Sequence, residues 1–142
     1  MLPIDLNELD YRFSTKPLLI GGMAMQYYDL RPAGADIDFV ITRADYDALA
    51  VKYPDHTRDL NGDLGVCVGK FELWICICLF DYDYLAVDAI EADEYRIIAL
   101  EKLLFLKAMA MSEPKYLADL KLIVDKVLRL QYQKAHLPGW PR

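Results

Sequence analysis

Asp36 and Asp38 stand one residue apart in the segment ADIDFVI, and Gly21 and Gly22 follow the apolar run Leu18, Leu19 and Ile20. On an extended strand successive side chains point to opposite faces. Asp36 and Asp38 then project together, while Ile37, Phe39 and Ile41 face the other way. Two adjacent carboxylates disfavour each other unless a cation sits between them. Hard cations such as Mg²⁺ (or Mn²⁺) take carboxylate oxygens, with substrate phosphates completing the shell. The glycine pair ends a strand and opens an apolar segment (Met23, Ala24, Tyr27, Tyr28) that reads as a helix. Glycine lets backbone N–H groups approach a ligand closely, and a helix start attracts phosphate through its free N–H groups and dipole. The chemistry this pattern suits is metal-assisted phosphoryl or nucleotidyl transfer.

Thirteen residues, Met23 to Ala35, separate the glycine turn from Asp36. An apolar residue, two glycines, a short helix, and then Asp, an apolar residue and Asp resemble the signature of the nucleotidyltransferase superfamily with the polymerase beta-like fold. The chain looks closest to the small bacterial nucleotidyltransferases of toxin-antitoxin and abortive-infection systems. The resemblance runs from Leu18 to roughly Leu128, and its specific part is the Gly-Gly and Asp-Ile-Asp segment. It implies an α/β (α+β) nucleotidyltransferase fold: a mixed β-sheet flanked by helices, with C-terminal helices. It also implies an enzyme that moves a nucleoside monophosphate from an NTP to an acceptor (protein, RNA or small molecule) and releases pyrophosphate. Asp36 and Asp38 are then catalytic and metal-ligating. The third carboxylate of the family matches Glu72 in GKFELWICIC, with Asp63 as the second candidate. Two positions differ from the pattern: Ala35 stands where Ser or Thr often precedes the first Asp, and Glu72 replaces the usual third Asp. Two other readings stand beside this one, an antitoxin that nucleotidylates its partner toxin and a catalytically degenerate nucleotide-binding or interaction domain.

Other residues have two readings each. Glu72 shares a strand face with Trp74 and Cys76, so it either belongs to the site or is a strand-edge glutamate in solvent. Lys107 is nearly alone among Leu103, Leu104, Phe105, Leu106, Met109 and Met111, and an unpaired buried ammonium is costly. It either reaches the triphosphate or pairs with Asp119. Similar proteins carry a lysine in the corresponding helix, then a Lys, three residues and an Asp, here Lys115 and Asp119. That pair also suits a plain helix-surface contact. Arg31, in a loop of small residues before the aspartates, meets a phosphate or is solvated. Tyr27, Tyr28, Tyr82 and Tyr84 have the shape to stack a base, but with 10 tyrosines in the chain none is assigned to the site.

The elements that must position these residues follow from spacing. A chain of 142 residues with 55% hydrophobic content suits one compact domain, 1–142. A short amphipathic helix (Leu6, Leu9, Phe13) precedes the first strand, Leu18 to Gly21. A helix spans Met23 to Leu30, and the second strand runs from Asp36 to Ile41. Thr42 caps a helix from Arg43 to Lys52, ended by Pro54. Asn61-Gly62 reads as a hairpin turn and Gly69-Lys70 as a second. The longest strand candidate is Phe71 to Leu79. A short helix within Asp81 to Asp88 and a strand at Tyr95 to Ile98 follow. A helix from Leu100 to Met111 and a last amphipathic helix opened by Ser112, Glu113 and Pro114 complete the chain.

Neither a long apolar run nor a leader pattern is apparent, so no membrane association and a cytoplasmic location are expected. Cys67, Cys76 and Cys78, with only His56 and His136 for company, read as reduced thiols rather than a zinc site. A net charge of -6 without a dense basic run argues against an extended nucleic-acid surface. No separate substrate domain stands out, so the acceptor is expected to bind through a partner, a dimer or the open cleft.

Overall fold

The structure, a computed structural model, describes residues 2–141. It divides into two compact units, one ending at Leu103 and the other beginning at Leu104. In chain order the first unit holds β1 (Leu18–Ile20), α1 (Gly21–Tyr27), β2 (Ile37–Val40), α2 (Arg43–Lys52), β3 (Thr57–Leu60), β4 (Asp63–Val68) and β5 (Phe71–Trp74). These are followed by β6 (Cys76–Ile77), β7 (Phe80–Asp81), α3 (Tyr82–Leu85), β8 (Ile90–Glu91) and β9 (Arg96–Ile97). Helix α4 (Leu100–Met109) crosses the boundary, and α5 (Pro114–Gln133) lies in the second unit. The protein is thus mixed α/β. Among the described residues no helix is long and apolar enough to cross a membrane.

Seven strands form one mixed sheet in the order β3-β4-β5-β2-β1-β9-β8. The pairs β2/β5 and β1/β9 are parallel and the others antiparallel. One face carries Leu19, Ile37, Phe39, Val66, Phe71 and Leu73, which form the core with Leu6, Leu9 and Leu49. Each of these side chains adds about 1.5–3 kcal/mol through burial, so the alternation that turns them inward is strongly fixed.

Local chemistry explains the best-defined turns. Thr42 Oγ1 accepts the Asp45 amide at 3.4 Å and starts α2. Asn61 (φ 55°) and Gly62 (φ 97°) both adopt positive φ, which suits a two-residue hairpin loop and sets Leu60 opposite Asp63. Asp45 is fully buried and accepts hydrogen bonds from Tyr11 Oη (2.6 Å), Ser14 N (2.9 Å), Ser14 Oγ (2.9 Å) and Thr15 N (3.2 Å). This clamps the chain before β1 to the start of α2.

Several boundaries differ from the expectations. The opening helix is a 3₁₀ turn at Leu6–Leu9, capped by Asp5. Asp36 lies one residue outside β2, and Gly21 belongs to α1 rather than to β1. The expected Phe71 to Leu79 strand breaks after Trp74. β6 leaves the large sheet and pairs with β7 alone, and Cys78 (φ 49°) and Leu79 (φ 65°) form a left-handed turn. The carboxylate of Asp63 holds that turn by accepting the amides of Cys78 (2.8 Å) and Leu79 (2.9 Å). Cys76 and Cys78 therefore do not share a strand face. Strand β8 is an addition to the expected elements, and α4 stops at Met109.

Candidate active site

The register of β2 against β5 puts Asp38 and Glu72 at the same rung of neighbouring parallel strands. Residues paired in this way present their side chains on one face of the sheet, the face opposite Ile37, Phe39 and Leu73. Asp38 is also paired with Ile20 of β1, whose next residue is Gly21. Gly21 has φ +65°, and a Cβ there would lie 2.5 Å from Oδ2 of Asp38. Glycine is therefore required at this corner for two reasons, the backbone angle and the space the carboxylate fills. Asp36 is exposed and flanks the strand, whereas Asp38 and Glu72 are half-buried.

Gly22 is reached by the loop that leads to the aspartates. A Cβ on Gly22 would sit 3.5 Å from Gly34 N and 3.6 Å from Nη1 of Arg31, so the guanidinium lies beside the glycine turn. That guanidinium also donates to the Pro32 carbonyl at 3.0 Å, and Gln26 Oε1 accepts the Ala33 amide at 2.9 Å. The structure thus brings Gly21, Gly22, Arg31, Asp38 and Glu72 to one end of β1, β2 and β5.

Two further residues border the carboxylates. Cys67 of β4 is the rung partner of Glu72, and Arg58 of β3 places Nη1 3.9 Å from the Cys67 sulfur. Burial raises the Cys67 thiol above its ordinary range. The negative charges of Glu72 and Asp38 act in the same direction, while Arg58 opposes them. Sequence alone does not single out Arg58 or Cys67. The signal is the Asn61-Gly62 turn: counting back from it pairs Leu60 with Asp63, Asp59 with Leu64 and Arg58 with Gly65, on the face of Glu72.

Lys107 lies in the second unit. It is 6% exposed, and its Nζ lies 3.0 Å from Oδ2 of Asp119, itself 4% exposed. The Tyr116 ring centroid lies 4.7 Å from the ammonium. This pairing accounts for a cation in an apolar helix. Lys115 is exposed and sits over the same ring at 4.8 Å. Asp63, the second candidate for a third carboxylate, spends its oxygens on the Cys78 and Leu79 amides and accepts from the Cys76 thiol at 3.3 Å. Burial and that contact push the thiol up to about 11.

The donor set can be tested against a hard cation. Asp38 and Glu72 offer carboxylate oxygens on one face, and Asp36 adds a flanking one. Among the described residues no group of three or more His, Cys, Asp or Glu side chains is arranged to enclose an ion. Mg²⁺ is commonly held by one or two carboxylates, with substrate phosphates and water filling the remaining positions. The residues fit that open arrangement rather than a closed protein cage. Compared with known proteins, the chain matches no family model, no curated protein and no solved structure at a significant level.

Proposed function

We propose that the protein is a nucleotidyltransferase that moves a nucleoside monophosphate from an NTP to an acceptor hydroxyl. The observation that carries this reading is the juxtaposition of Asp38 and Glu72 on one rung, with Gly21 held against the Asp38 carboxylate. A strand, a glycine turn and a helix leading to that carboxylate strand are also the order of the nucleotidyltransferase fold, and we propose that fold for the sheet.

In this reading Asp38 and Glu72, with Asp36 at the edge, hold Mg²⁺ or Mn²⁺, which when bound neutralises charge on the triphosphate. The Gly21-Gly22 turn is the phosphate cradle of this scheme, and Arg31 beside it supplies a positive charge on the same side. Glu72 accepts the proton of the acceptor hydroxyl as its oxygen attacks the α-phosphorus. The new oxygen–phosphorus bond forms, the α–β bridging bond breaks, and pyrophosphate leaves with the electron pair. Lys107 has no part in this scheme, because Asp119 already occupies its charge within the second unit.

A second reading, a nucleotide-binding domain without transfer, is favoured by the two departures from the family pattern, Ala35 before Asp36 and Glu72 in place of the third Asp. Incubation with labelled NTPs, Mg²⁺ and a cell extract separates the two. Transfer predicts a labelled acceptor that disappears with Asp38→Asn and Glu72→Gln, and label recovered only in free nucleotide counts for binding alone. A labelled partner protein would identify the antitoxin-like form of the reaction.

A further inference from the structure

The carboxylate rung has two sides. Toward β1 lie the Gly21-Gly22 turn and Arg31, and toward β3 lie Cys67 and then Arg58. We propose that Arg58 is the anion-binding residue of the acceptor side, and that the acceptor is a small molecule carrying one phosphoryl group near its reacting hydroxyl. This rests on the nucleotidyl-transfer reading.

Three observations support the assignment. Arg58 is paired with Gly65, and Gly65 with Trp74, so Arg58 belongs to the sheet face of Asp38 and Glu72. The rung itself is filled by the Trp74 ring: a Cβ on Gly65 would lie 2.5 Å from Trp74 Cε3. The guanidinium instead leans diagonally to Cys67, toward the carboxylates, and Arg58 and Glu72 both act on the Cys67 thiol. Second, two strand spacings set β3 about 10 Å from β5, room for a phosphoryl group beside a hydroxyl held at Glu72. Third, β3 is an edge strand whose four residues are all exposed, so this side is open to a ligand.

Charge limits what the ligand can be. Residues 1–103 carry nine Lys and Arg against nineteen Asp and Glu. Such a surface repels a polyanion, which needs many cationic contacts. One arginine fork suits a single phosphoryl group.

The test is an amide-resolved NMR titration with inorganic phosphate in EDTA, on the wild type, Arg58→Gln and Arg58→Lys. Saturable shifts at Arg58 and Cys67 are expected, weakened about tenfold or more in Arg58→Gln by the loss of charge-assisted hydrogen bonds and less in Arg58→Lys. A parallel titration with NTP and Mg²⁺ should leave Arg58→Gln within about twofold of the wild type, since one 1.4 kcal/mol contact would already give tenfold. No saturable shift at those amides, equal shifts in Arg58→Gln, or loss of NTP binding in that variant overturns the proposal, the last by placing Arg58 on the donor side. An oligonucleotide that binds through Arg58 more tightly than phosphate also overturns it. Absence of Mg²⁺-dependent NTP binding in the wild type would defeat the transfer reading, and with it the acceptor role. The phosphate titration tests the Arg58 subsite by itself.

Discussion

Gly21 and Asp38 share a corner that leaves no room for a methyl group, because a Cβ on residue 21 would lie 2.5 Å from the Asp38 carboxylate oxygen. The backbone there also has φ +65°. Gly21→Ala should therefore cost about 2 kcal/mol or more, the left-handed conformation and the displaced carboxylate acting together. Gly22→Ala meets only ordinary contacts at 3.5 Å and beyond, and should be level or up to about 1 kcal/mol more stable. Denaturant melts of the two variants make the comparison. Equal stabilities would contradict it.

Lys107 and Asp119 form a buried pair, so removing either alone strands a charge. Lys107→Met and Asp119→Leu should each lose about 3–5 kcal/mol, and the double variant should recover most of the loss. Equilibrium unfolding of the three proteins gives the coupling. If Lys107→Met kept full stability but lost NTP binding, the lysine would belong to the nucleotide site instead.

Asp45 makes stability depend on acid. Burial alone pushes its carboxyl up, but the hydrogen bonds from Tyr11, Ser14 and Thr15 outweigh this, and its pKa lies below the ordinary value. A lowered folded-state pKa stabilises the fold above the unfolded value of about 4, and that contribution disappears as pH falls through the folded value. Asp45→Asn should cost about 3 kcal/mol at neutral pH and show a shallower loss of stability below about pH 4. At the alkaline end Tyr11, raised to about 12 by burial and by Asp45, holds its proton through the pH range where a free tyrosine ionises. Its contribution is present below about pH 10 and is lost toward 12. Melting temperature against pH for both proteins tests both limbs.

What the sequence made legible was local. The Thr42 cap, the Asn61-Gly62 turn and the apolar alternation of Ile37, Phe39 and Ile41 each depend on residues a few positions apart, and the structure has them. The break after Trp74 was not legible, because the Asp63 side chain that holds the Cys78–Leu79 turn comes from 15 and 16 residues away. The neighbourhood of Arg58 was hidden for a similar reason: it depends on two successive strand registers, one set by each turn. Asp36 shows the limit of alternation, since the pattern fixes a face only where the ladder continues, and β2 starts at Ile37.

The pairing of Asp38 with Glu72 is tested most directly by calorimetric titration of each NTP into the wild type and into Asp38→Asn, with Mg²⁺ and with EDTA. Asparagine keeps the shape of the side chain and deletes one charge, so it isolates the contribution of the carboxylate. The expected result is that Mg²⁺ tightens binding of at least one NTP by tenfold or more in the wild type, about 1.4 kcal/mol, and by much less in Asp38→Asn. Equal Mg²⁺ enhancement in the two proteins, or no Mg²⁺-dependent binding of any NTP to the wild type, would contradict the account.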